Sequence, residues 1–193
     1  MAENSYSFKN PFKKTDIILK EKKEASQLSF DICNIVSALL TDICEEGKHN
    51  IESKIALLKP FISRKIPTIS IKDFIDRLLK YSKAFKEIII IILIYLDNIC
   101  AKNKINLNYY NIHKLIFGAF ISAVKFYEDH LYSMKYYAKL GGISLKEALV
   151  LEYEFMSLID FKLFVNQEVY DKYYNYLYDL ENDINDELEI DLN

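Results

Sequence analysis

Glycine and proline are scarce in this chain, 4 and 3 of 193 residues. All-β folds need turn residues every few positions, so the scarcity favours long helices. Cysteine is also sparse. Cys33, Cys44 and Cys100 cannot pair completely, and there is no CxxC and no Cys/His cluster. His49, His113 and His130 share no metal-ligand spacing, so no metal or cofactor is expected. The start carries no signal peptide, and the thiols read as small buried side chains in a reducing compartment. There is no GxGxxG, no P-loop and no HRD or DFG motif. The chain therefore lacks the parts of a phosphoryl-transfer enzyme and is not expected to be an enzyme in its own right.

Lys and Arg are absent after Lys172, while Asp179, Glu181, Asp183, Asp186, Glu187, Glu189 and Asp191 follow. The start is basic instead, with Lys9, Lys13, Lys14, Lys20, Lys22 and Lys23. Both runs read as solvated tails, over 1–24 and 179–193. No basic face stands out between them, which argues against a nucleic-acid partner.

What is present is an ordinary globular composition, 51% hydrophobic and 27% charged, with a net charge of -3. One domain over 25–178 is long enough for a substantial core. The apolar run Ile88–Leu96 contains nine residues, five of them consecutive isoleucines. A bilayer span needs about 20 apolar residues, and here Lys86, Glu87 and Asp97 bound the run, so no membrane partner is expected. A buried strand would need partner strands, and no hairpin or βαβ signal supplies them. The run is predicted as a helix over about 84–101, apolar all round because other helices surround it.

Helical periodicity extends on both sides. Leu28, Ile32, Ile35, Val36, Leu39, Leu40 and Ile43 trace one face over 25–47. Ser70 with Asp73 opens a second helix, whose face is Ile71, Phe74, Ile75, Leu78, Leu79 and Phe85. Asn108 is the expected cap of a helix with Ile112, Leu115, Ile116, Ala119, Phe120, Ala123 and Phe126 inward. A short helix over Tyr132–Leu140 stops at Gly141–Gly142. Ser144 and Glu147 form a capping box for the next helix, with Leu145, Ala148, Leu149, Glu152, Phe155, Met156 and Ile159 on one face. Asn166 caps a tyrosine-rich helix reaching about Tyr178. The expectation is an all-α fold: one helix, a central five, and at least one more.

Four separated segments resemble a cyclin box of the P/U type: "PTISIKDFIDRLLKY", "IYLDN", "NIHKLIFGAFISAVKF" and "YYAKLGGISLKEALVLEYEFMSLIDFKL". The resemblance covers roughly 27–175. It implies a single box of five helices, about 69–165, with flanking helices, and places the isoleucine run in the central second helix of the box. It also implies a regulatory subunit that binds and activates a cyclin-dependent serine/threonine kinase, in the nucleus or cytoplasm. A non-activating interaction adaptor on the same fold is the alternative.

By resemblance, two residues fall on the family's kinase-backbone contacts beside the kinase αC helix. They are Lys125 in "SAVKF" and Glu152 in "VLEYEF". The pocket for an apolar αC side chain falls on Phe126, Met156 and Leu163, with Ser122 at its edge and Phe161 in the same motif. Asp129 falls where related cyclins also place an acid; it is expected either to reach a kinase arginine or to be a solvated loop acid. One departure concerns the family's Y-[I/L]-D-R-F motif, which reads Tyr95-Leu96-Asp97-Asn98-Ile99. The arginine and aromatic are missing, so that helix end is expected to be braced differently.

Overall fold

Ser70, Ser133, Ser144 and Asn166 each stand just before a helix and accept a backbone N–H three residues on. The donors are Asp73 at 3.0 Å, Tyr136 at 3.3 Å, Glu147 at 3.1 Å and Val169 at 2.8 Å. Each oxygen satisfies a donor that the first helical turn leaves orphaned, so the same local chemistry starts four helices.

The computed structural model describes residues 32–47 and 56–190. The basic start, His49 and the helical residues expected before Ile32 lie outside them. Helices α1 (Ile32–Glu46), α2 (Ile71–Ser82), α3 (Ile88–Asn103), α4 (Ile112–Tyr127), α5 (Met134–Gly141), α6 (Leu145–Leu158) and α7 (Gln167–Ile190) follow in order. A 3₁₀ turn, Ala56–Phe61, precedes α2. The described residues are thus all-α, with five helices, α2–α6, between two flanking ones. None of these helices is long and apolar enough to cross a membrane.

The core centres on α3 and α4. Ile88–Leu96 are all buried, as the apolar-all-round reading requires. Helix α3 packs against α4, α1 and α7, while α4 also packs against α6 and α2. Each fully buried isoleucine contributes about 1.5–3 kcal/mol relative to exposure. Gly118 sets the α4–α6 approach, because a Cβ there would lie 2.8 Å from the Phe155 Cβ of α6. What comes close at Gly118 is thus an aromatic side chain rather than a neighbouring backbone.

Several local expectations need correction. Helix α4 starts at Ile112, not beside Asn108. Asn108 instead accepts the Tyr110 N–H, and Asn111 accepts the Asn108 N–H, forming a polar turn that leads into the helix. Glu147 does not close a capping box through its carboxylate, which pairs with Lys114 of α4 at 2.9 Å. Phe85 is 71% exposed, because α2 ends at Ser82 and Lys83 turns left-handed (φ 58°), breaking the helical register. On α6 the buried stripe is Ala148, Leu151, Phe155 and Leu158, while Leu145 and Leu149 are exposed. The acidic segment after Tyr178 continues α7 to Ile190.

The altered end of α3 is braced from α7. Tyr173 donates its hydroxyl to Asp97 at 2.6 Å. Burial pushes the Asp97 carboxyl above its ordinary range, and the tyrosine bond opposes that shift. Asn98 is exposed and Ile99 buried.

Candidate partner-binding site

Helices α4 and α6 pack against each other and share a charged pair. Lys125, in the last turn of α4, meets Glu152 of α6 with Nζ–Oε1 at 2.5 Å. Their side chains are 38% and 21% exposed, so both are reachable from solvent. Glu152 is held above the buried positions Leu151 and Phe155. The pair uses one of three ammonium donors and one of two carboxylate oxygens. Lys125 therefore keeps donors for carbonyls, and Glu152 keeps an acceptor for N–H groups.

Phe126 follows Lys125 at the end of α4, and Met156 lies one turn beyond Glu152 on α6. Phe126 is 49% exposed and Phe161 64% exposed. Met156 and Leu163 are half-buried. Ser122 differs from its expected place at the pocket edge: it is buried, and its hydroxyl donates to the Gly118 carbonyl one turn back at 2.9 Å. Asp129 is exposed in the connection after α4.

The segment after α6 is positioned by a costly turn. Asp160 and Phe161 both adopt left-handed backbone, φ 54° and 58°, without a glycine. Such residues cost on the order of 1–3 kcal/mol each and persist where their surroundings impose them. Here Lys102 pairs with Asp160, which holds that carboxyl below its usual range. The Phe161 N–H returns to the Met156 carbonyl at 2.9 Å. Beyond the turn, the Leu163 carbonyl accepts hydroxyls from Tyr95 at 2.6 Å and Tyr127 at 3.1 Å. The Tyr127 oxygen in turn accepts the Val165 N–H at 2.9 Å.

Tyr95, Tyr127, Asp160 and Lys102 were not predicted as site residues, yet they fix the path of Phe161–Leu163. Further apolar side chains on α6 are exposed near Glu152, namely Leu149 at 49% and Tyr153 at 67%.

The chain matches the Cyclin family model over residues 15–163. It is 35% identical to PHO85 cyclin-7 of Saccharomyces cerevisiae, over 74% of this chain and 55% of that protein. It is 33% identical to Cyclin-U2-1 of Arabidopsis thaliana, over 58% of this chain and 51% of that protein. With PHO85 cyclin-like protein psl1 of Schizosaccharomyces pombe the identity is 38%, over 56% and 45%. The chain spans about half the length of the curated relatives it matches. A family match over most of the chain, with relatives of these two kinds, means that the chain belongs to the cyclin family, among its P- and U-type members.

Proposed function

We propose that this chain binds a cyclin-dependent serine/threonine kinase and activates it by docking against the kinase αC helix. The observation that carries the reading is the partly exposed Lys125–Glu152 pair between α4 and α6, together with exposed or half-buried Phe126, Met156, Phe161 and Leu163. On docking, the Lys125 ammonium donates to kinase backbone carbonyls and Glu152 accepts from backbone N–H groups. An apolar αC side chain enters among Phe126, Met156 and Leu163. Asp129, exposed in the connection after α4, meets a kinase cation. Contacts made only to the inward position of αC shift the kinase toward the state in which its own Lys–Glu ion pair and metal-binding loop are assembled.

Buried cysteine side chains, Cys33 and Cys44 among them, fit a cytoplasmic or nuclear setting. The test is a pull-down and kinase assay with the Lys125→Ala/Glu152→Ala double variant. Binding should weaken by about 2–5 kcal/mol, and activation should fall with it. Unchanged binding and activation would refute the docking site. Kinase capture without activation by the unaltered chain would instead leave it an adaptor.

A further inference from the structure

A groove of about 330 Å³ is formed by the α2–α3 connection, the start of α3, the end of α4 and the start of α7. Its apolar wall comes from Ile88, Ile91 and Val165, and its aromatic side chains are Phe85, Tyr127 and Tyr170. Two carboxylates, Glu87 and Glu128, and the side chain of Gln167 complete it. Glu128 uses Oε1 to accept the Phe85 N–H at 2.9 Å, which leaves Oε2 for another donor. Among the described residues neither glutamate takes part in a salt bridge, although Lys83 and Lys86 lie in the same connection. Burial, followed by the Glu87 charge, pushes the Tyr170 hydroxyl above its ordinary range.

We propose that this groove is a docking site for an arginine side chain presented by a protein partner. Three aromatic rings, an aliphatic wall and two uncompensated carboxylates match a guanidinium group. Its planar faces stack on aromatic rings and its N–H fork binds carboxylate, while its three methylenes lie along apolar surface. Complementary charge decides between occupants: an acidic or purely apolar segment would leave Glu87 and Glu128 unpaired beneath it. The site favours a protein source because one lining residue adjoins the exposed Phe126. Tyr127 lines the groove and packs edge-on to Phe126, with ring centroids 4.9 Å apart.

The test is a ¹H–¹⁵N NMR titration of the whole chain with N-acetyl-arginine N-methylamide. Its neutral isostere, N-acetyl-citrulline N-methylamide, is run in parallel. Saturable shifts are expected at amides 85–91, 127–128 and 165–170. The citrulline probe should bind roughly tenfold more weakly, the loss that follows when charge-assisted and cation–π contacts become neutral ones. A Glu87→Gln/Glu128→Gln variant keeps an oxygen for the Phe85 N–H; once its fold is checked by circular dichroism, it should lose the preference for arginine. Equal binding of the two probes, an unaltered response of the variant, or no saturable shift would overturn the proposal. Tighter binding of free L-arginine than of the capped form would overturn the protein source. No kinase enters the titration, so its failure and that of the αC reading are separately visible.

Discussion

Helices α3 and α6 are similar in length, 16 and 14 residues, and both carry many apolar side chains, yet they use them in opposite ways. Helix α3 buries ten of its residues, whereas α6 buries four. The difference is position. Helix α3 has α1, α4 and α7 around it, so every direction is an inward one. Helix α6 lies at the rim, where α4, α5 and the 3₁₀ turn cover only a stripe. The lesson is that an apolar residue on α3 serves stability, while one on the outer side of α6 is available for a partner.

The comparison breaks first, if it breaks at all, at the centre of α3. Ile90 has no exposure, while Ile91, at 7%, borders the groove. Ile90→Asp should abolish folding, because an unpaired buried charge costs more than about 4–5 kcal/mol, comparable with the whole stability of many domains. Ile91→Asp should be milder, since its carboxylate can turn toward solvent through the groove. Urea unfolding followed by circular dichroism measures both; a cooperative, native-like transition for Ile90→Asp would remove α3 from the core. Next in size is Gly118→Ala, which forces a methyl into the Phe155 ring of α6. Its expected cost is about 1–3 kcal/mol by overpacking, read from the denaturation midpoint, and a neutral result would mean that α6 shifts freely on α4.

The same contrast explains what could be read from the amino-acid order. Ile88–Leu96 was legible as a core helix because burial on every side makes register irrelevant. The stripe on α6 was not: Leu149 and Leu151 are equally apolar, and only the location of α4 decides which is covered. Phe85 looked like a continuation of α2, but the left-handed turn at Lys83 ends the periodicity that placed it there. Lys125 and Glu152 were identified by resemblance, since 27 residues separate them and helical spacing cannot join them. Tyr95 and Leu163 stand 68 apart, so no local signal announces that one hydroxyl holds the other's carbonyl. The altered motif after Asp97 did announce a different brace, although not that Tyr173 of α7 supplies it.

A smaller effect should appear with pH on the side of the bundle where α2 meets α4. His113 is buried, with Nε2 3.0 Å from the Ile69 carbonyl; a carbonyl only accepts, so the neutral ring carries its proton on Nε2. Its Nδ1 has no hydrogen-bond partner. Burial, with a lesser contribution from the Arg77 charge, lowers its pKa below 6.5, while bonds to the Ile69 and Ser70 backbone oppose the shift. The folded state therefore binds less proton than the unfolded one between the folded value and 6.5. Its contribution to stability is present above 6.5 and is lost as pH falls through the folded value. For one proton the slope is at most about 1.4 kcal/mol per pH unit. Unfolding midpoints measured at steps below pH 6.5 should show this decline, and His113→Gln should flatten it.

The smallest expected change in stability belongs to the pair whose loss matters most for binding. Lys125 and Glu152 are partly exposed, and an ion pair of that kind contributes about 0–1 kcal/mol, because two long side chains must be held still in a screened medium. For a chain of this size, 1 kcal/mol shifts Tm by about 2–4 °C. Lys125→Ala/Glu152→Ala should therefore melt within that margin of the unaltered protein. A drop as large as that of Gly118→Ala would mean that the pair clamps α4 to α6, and the rim would then be structural in the way α3 is. A near-normal melt combined with lost kinase binding would separate the two roles in one variant, since nothing in the core has changed and only the donors and acceptors offered to a partner are gone.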